Sequence, residues 1–290
     1  MTGIVKMNMR SIDNGLLKTG LFVILLLLLI TNAYGQEGGW KQLDDGLFYG
    51  YFASSVKSVS GDSKILVVRI DPKVYNFRLL SASELIPGSP ALTVKDWVTK
   101  YNLIAAINAG MFQADFKANV GYMKNFTHLN NPRFHKTYTS VFAFNPRKAE
   151  LPAAMVFDTD VKEIREVVAE YHTVIQNLRL IKRPGQVRWA QQDKRWSEAA
   201  LGQDQDGNIL FIFSESPYTM YELSKTLLSL PIKLDCAMHL EGGPAASLYL
   251  RHNGVEIVRV GRHELASLVV GDVNNEFLPI PNVIGIVKKK

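Results

Sequence analysis

Glu241 is followed by Gly242 and Gly243 and lies between the apolar residue Leu240 and the run Ala245 to Tyr249, an awkward composition for a plain core strand. A carboxylate there can supply charge or carry a proton. Two glycines beside it admit positive φ and let another group come close to main-chain N–H donors. The same composition also suits a β-bulge or a sharp turn with no chemical role. A second corner, Ile107-Asn108-Ala109-Gly110-Met111-Phe112, closes the apolar run Leu103 to Ala106 and opens into a polar stretch from Gln113 to Asn131. The Asn108 amide can both donate to and accept from hydroxyl or phosphate oxygens, although an asparagine at a strand end also suits a left-handed turn.

Cations that could meet an anionic ligand come from two places. Within Val174 to Leu180, strand alternation would put Asn177 and Arg179 on one face, and a guanidinium on that face suits a bidentate phosphate. Arg195 precedes Trp196-Ser197-Glu198, where Glu198 is a possible second acid. A solvated strand charge and a surface salt-bridge partner are the plain alternatives for Arg179 and Glu198.

Taken in order, the Asn108 corner, Gln176-Asn177-Leu178-Arg179-Leu180, Trp196 to Gly202, Asp206-Gly207-Asn208 and the Glu241 corner resemble the phosphodiester glycosidase family from roughly Leu66 to Val260. Members of that family carry an Asn-Gly-Gly-Phe-like motif early and a Leu-Asp-Gly-Gly-like motif late. The resemblance implies an exported hydrolase that breaks the bond between a sugar's anomeric carbon and a phosphodiester. Its leaving group, a phosphate monoester, is weakly basic, so the site needs less protonation and more stabilisation of phosphate oxygens. On this reading Glu241 is the principal acid or base, Asn108 positions the sugar, Glu198 is a second acid, and Arg179 or Arg195 neutralises phosphate. Gly110, Asn177, Ser197, Gly242, Gly243 and Ser247 complete the expected binding surface. Three departures stand out: Glu241 replaces the commoner aspartate, Ala245 lacks any polar function, and Asn177-Leu178-Arg179 replaces a Ser-Gly-Pro-like stretch. They keep open a non-catalytic carbohydrate-binding or envelope-assembly protein of the same fold.

Residues 1–35 place Lys6, Arg10 and Lys18 ahead of the apolar run Leu21 to Ile30 and end in Ala33-Tyr34-Gly35, the pattern of a cleaved secretory signal. Ten apolar residues are about half of a bilayer span, so no stable membrane span is expected after cleavage, and the 36–290 domain is expected in the periplasm or outside the cell. Three basic residues and one acid leave with the leader, lowering the formal charge from +6 to +4. No basic stripe with interleaved aromatics is visible, which argues against a nucleic-acid partner. The lone Cys236 excludes an intrachain disulfide and reads as a buried, inert thiol. The histidines show no metal-ligand spacing, and no glycine-rich nucleotide loop or Gly-x-Ser-x-Gly elbow is present, so neither metal nor cofactor is expected.

The elements that must hold these residues are mostly strands. Runs at 46–52, 65–70 and 75–80 are short and rich in β-branched and aromatic residues. Thr93 with Asp96 and Thr219 with Glu222 read as capping boxes opening helices to about Tyr101 and Ser229. Asp206-Gly207-Asn208 joins strands at 199–203 and 209–214, and Asn253-Gly254 marks a two-residue hairpin. The expected fold is one α+β domain with a mixed sheet, antiparallel meanders and a few packed helices. Its parallel part would come from the strand, helix, strand unit around Thr219 to Leu240.

Overall fold

The computed structural model describes residues 39–262 and 277–290, so the expected leader over residues 1–35 lies outside the described residues. The described chain opens with β1 (Trp40–Asp44), β2 (Leu47–Ala53), β3 (Lys64–Ile70) and β4 (Tyr75–Ser81), then α1 (Val94–Lys100) and β5 (Ala105–Asn108). The middle holds β6 (Met123–Asn125), β7 (His128–Asn131), β8 (Ser140–Pro146), β9 (Ala154–Asp158), α2 (Ile164–Glu170), β10 (Tyr171–Asn177), β11 (Arg179–Lys182) and β12 (Gln186–Val187). Then come β13 (Trp196–Asp204), β14 (Ile209–Tyr218), α3 (Met220–Ser229), β15 (Leu234–Gly242), β16 (Ser247–His252), β17 (Val255–Val260) and β18 (Asn282–Lys288).

Both expected capping boxes form: the hydroxyls of Thr93 and Thr219 accept from the N–H groups of Asp96 and Glu222, whose carboxylates reach back to the cap N–H groups. Helix α2 has no counterpart in the sequence reading. It is only seven residues long, and its cap residue Glu163 makes no side-chain capping bond, so it carries no start signal. Asn253 and Gly254 both take positive φ, 47° and 78°, as a two-residue hairpin turn needs.

The strands form three sheets, ordered β1-β2-β3-β14-β13-β15-β11-β12, β7-β6-β10-β8-β9 and β17-β16-β5-β18-β4. The pairings among β2 to β18 are antiparallel, which corrects the expected mixed sheet. The unit β14-α3-β15 does set two strands in the same direction, but β13 lies between them and pairs antiparallel with each. It holds that slot because Asp204 accepts from the N–H groups of Asp206 and Asn208 and closes the tight β13–β14 turn. The fold is therefore sheet-dominated and α+β only in the loose sense.

A second correction falls on the run from Val174 to Leu180. It is not one strand: β10 ends at Asn177, and β11 begins at Arg179 in a different sheet. Period-two alternation stops at that crossing, so Asn177 and Arg179 do not share a face.

All three sheets feed one core. Phe77 from β4, Phe142 from β8 and Phe211 from β14 meet there, with Phe77 edge-on to Phe142 at 5.5 Å between centroids and to Phe211 at 6.4 Å. Cys236 is buried near this core, and burial pushes its thiol up to about 12, as expected for an inert side chain.

Candidate active site

The two corners that bracket 130-odd positions of sequence meet, and Asn108 joins them. Its Nδ2 donates to the Ala245 carbonyl at 3.0 Å, and its Oδ1 accepts from the Ser247 N–H at 2.7 Å. Asn108 ends β5 and Ser247 opens the neighbouring β16, so this amide fixes the turn Gly243 to Ala246 against the sheet. Its polar atoms are thus engaged by backbone. The structure places it as a clamp on the acidic corner.

Glu241 lies on the partly buried end of β15, its Oε1 accepting from the Gly242 N–H at 3.0 Å. In the β13–β15 ladder, Ala199 pairs with Glu241 and Ala200 with His239, which leaves Leu240 as the extra residue of a bulge. The bulge falls where the strand turns from core to site. Burial raises the Glu241 carboxyl to about 7, with the Gly242 N–H and the charge of His239 opposing that rise and Glu198 adding to it.

His239 is the residue the sequence reading passed over, having considered it only as a metal ligand. Its Nδ1 lies 2.5 Å from Glu198 Oε1, and the other Glu198 oxygen accepts from the Trp196 indole N–H at 2.8 Å. Both partners are buried, at 4% and 1% exposure. Burial by itself disfavours the imidazolium, but the charge and hydrogen bond of Glu198 carry the His239 pKa upward, with Glu241 adding to the rise. The bulge at Leu240 interrupts the alternation between His239 and Glu241, so their spacing in the sequence did not mark the pair.

The glycines have separable reasons. Gly243 takes φ +63°, a turn conformation that disfavours a side chain. At Gly242, a Cβ would lie 2.6 Å from the Trp196 ring, so the group that approaches closely is this indole. Gly110 faces two amides: a Cβ there would sit 2.4 Å from Asn177 Oδ1 and 2.5 Å from Asn119 Oδ1. Neither amide swings freely, since Asn177 Nδ2 donates to the Ala109 carbonyl at 2.8 Å and Asn119 Nδ2 to the Gly121 carbonyl at 3.0 Å. Gly110→Ala is accordingly expected to lose roughly 2 kcal/mol and about 4–8 °C of melting temperature. A thermal melt indistinguishable from that of the parent would refute this packing account.

Opposite Glu241, the loop before β8 brings in Tyr138, whose phenol pKa is raised by burial and further by the Glu241 charge. Tyr138 packs on the His135 ring at 3.9 Å between centroids. Gln176, at the end of β10, holds this loop: its Nε2 donates to the carbonyls of His135 and Tyr138, and its Oε1 accepts from the N–H groups of His135 and Tyr122. Nothing local in the sequence marks this arrangement.

The expected cations are paired with carboxylates other than Glu241. Arg179 Nη1 lies 3.0 Å from Asp160 and 3.4 Å from Asp158. Arg195 makes a two-pronged pair with Glu222, the same carboxylate that caps α3. Ser197 is fully buried, donating to the Glu215 carbonyl at 2.6 Å and accepting from the Arg262 N–H at 2.9 Å. Among the described residues no cluster of three or more His, Cys, Asp or Glu side chains could hold a metal ion, and no helix is long and apolar enough to cross a membrane.

The site is thus a carboxyl titrating near neutrality, beside a buried imidazole–carboxylate pair, where strand ends of three sheets converge. The phosphodiester glycosidase family model matches residues 101–287, more than half of the chain, and the chain belongs to that family. No curated protein matches it in sequence. Among solved structures, it is similar to the zebrafish N-acetylglucosamine-1-phosphodiester alpha-N-acetylglucosaminidase catalytic domain, auto-inhibited by pro-peptide. That match has 14% identity and a TM-score of 0.58, over 88% of this chain and 87% of that one. It is also similar to a hypothetical protein from Synechocystis at 12% identity and a TM-score of 0.57, over 88% of this chain and 64% of that one. At these identities the likeness is one of fold.

Proposed function

We propose that the chain is an exported hydrolase of sugar 1-phosphodiester linkages in envelope or extracellular glycans, with residues 36–290 as its catalytic body and Glu241 as the proton-transfer group. The observation that carries this reading is the position of Glu241. It titrates near 7 on a corner clamped by Asn108, with the His239–Glu198 pair beside it. Near neutral pH a large fraction of Glu241 is ionised and can take a proton from water. Water oxygen then bonds to the anomeric carbon as the carbon–oxygen bond to phosphate breaks. The electron pair leaves with the phosphate monoester, which needs no strong acid. Burial dominates the proton affinity of Glu241, which the charge of His239 lowers and that of Glu198 raises. Arg179 and Arg195 are occupied by carboxylates, so neither is assigned to phosphate.

A second reading, a non-catalytic carbohydrate-binding protein, is favoured by the apolar Ala245 and by those occupied arginines. Incubation with N-acetylglucosamine 1-(phenyl phosphate) separates the two. Steady release of free sugar and phenyl phosphate is expected of the hydrolase, whereas saturable binding with no product after long incubation would establish the alternative.

A further inference from the structure

Among the groups gathered near Glu241, one hydroxyl is left without a bond. Tyr138 is only partly buried, and its hydroxyl has no hydrogen-bond partner among the described residues. It is not sealed inside the protein either. The hydroxyls of Tyr171, Tyr218 and Tyr249, by contrast, donate to the Pro152 and Val56 carbonyls and to Glu256.

The Tyr138 ring is nonetheless firmly placed. It lies on the His135 ring, and a Cβ at Gly121 would come 3.2 Å from Tyr138 Cδ2 and 2.2 Å from the Gln176 carbonyl oxygen, so glycine is what lets the ring and β10 approach. Gln176 fixes the main chain of the tyrosine loop through four hydrogen bonds, and its neighbour Asn177 donates to the Ala109 carbonyl. Asn108, one residue away, clamps the turn that follows Glu241. The end of β10 therefore links the tyrosine to the acidic corner through two short connections.

Glu241 engages only Oε1, on the Gly242 N–H, and leaves Oε2 without a partner among the described residues. Burial raises the Tyr138 phenol above its ordinary 10, and the Glu241 charge adds to the rise, so the O–H stays protonated throughout the range in which Glu241 titrates. Glycosyl transfer puts the carboxylate that acts on water and the leaving group on opposite sides of the anomeric carbon. A group facing Glu241 then lies on the side from which the phosphate departs. Arg179 and Arg195 are held by carboxylates, and an anionic phosphate oxygen still requires a donor.

Building on the hydrolase reading above, we propose that Tyr138 is a catalytic residue whose O–H donates to a phosphate oxygen of the departing monoester. The phenol keeps its proton. The carbon–oxygen bond breaks with its electron pair on phosphate, and the hydrogen bond strengthens as charge gathers there.

Tyr138→Phe tests it, with phenyl phosphate and N-acetylglucosamine as separate ligands and N-acetylglucosamine 1-(phenyl phosphate) as substrate. In calorimetric titrations at pH 6 the parent is expected to bind phenyl phosphate, and the variant to bind it about ten-fold more weakly, the loss of one hydrogen bond to a charged group. Free N-acetylglucosamine should bind both proteins alike. For the phosphodiester, kcat/KM should fall about 10–100-fold. The rise of kcat through a pH of about 7 should stay in place, because Glu241 is untouched. The melting temperature should hold, since the ring remains and the lost hydroxyl has no partner. Equal binding of phenyl phosphate by the two proteins, or none by the parent, would overturn the assignment. So would a matching loss of N-acetylglucosamine binding, which would put the hydroxyl on the sugar, or a shifted pH inflection, which would make Tyr138 a support for Glu241. A parent that binds phenyl phosphate through Tyr138 but releases no sugar would uphold the phosphate contact and refute the hydrolase reading.

Discussion

Glu241→Gln is expected to lower kcat by about 10²–10⁴, the range for removing a positioned proton-transfer group, while the protein stays folded. The same substitution should raise stability above neutral pH. A carboxyl whose folded pKa is raised by burial favours the protonated form, so the parent is most stable below the ordinary value of 4.5. It loses that contribution as pH rises through about 7. The gap between those values corresponds to at most about 3 kcal/mol, and glutamine at this position does not titrate. Melts at pH 5 and pH 8 should therefore diverge, with the variant gaining on the parent at the higher pH. In the parent, kcat should climb with pH through about 7 as Glu241 ionises. Equal turnover in the two proteins would remove Glu241 from the reaction, and parallel melting curves would contradict the buried environment assigned to it.

The second large effect is on folding. Glu198 is 1% exposed and accepts from both the Trp196 indole and His239. In Glu198→Gln, one oxygen becomes an amide nitrogen, which leaves a donor facing a donor at Trp196 or removes the charge that holds the imidazolium at His239. Breaking one side of a buried ion pair costs about 3–5 kcal/mol. In a domain of this size that is a fall of about 10 °C in melting temperature. The sign of the pH dependence follows from the raised pKa of His239. Stability from the pair is fully present below its unfolded value of 6.5 and is lost as pH rises through the folded value. The variant should trail the parent most near pH 6, with the difference narrowing at alkaline pH. A melting temperature unchanged at pH 6 would show that the pair contributes nothing to the fold.

What could be read from the sequence was local. The Thr93 and Thr219 capping boxes, the Asn253-Gly254 hairpin and the turn after Asp204 depend on residues within a few positions of each other, and each forms. The meeting of the Asn108 and Glu241 corners was expected only through the family resemblance, which assigns both to one site. Its content was not. Asn108 spends its amide on backbone, and Gly242 makes room for Trp196, contacts that span 137 and 46 positions and leave no periodic trace. The arginines show the same limit. Arg179 and Arg195 look available in a linear chain, yet Asp160 and Glu222 reach them only after the sheets assemble. Leu178 makes no visible break in the apolar pattern and gave no warning that the chain changes sheets there. His239 was hidden for the same reason, since the bulge at Leu240 breaks the alternation between it and Glu241, and its partner Glu198 comes from another strand.

The most direct measurement is ³¹P NMR of N-acetylglucosamine 1-(phenyl phosphate) turned over in H₂¹⁸O by the parent and by Glu241→Gln. Cleavage at the anomeric carbon predicts phenyl phosphate without an ¹⁸O-shifted line, with the label in the free sugar, and little product from the variant. Label in the phosphate, or equal product from both proteins, would contradict a glycosidic reaction centred on Glu241.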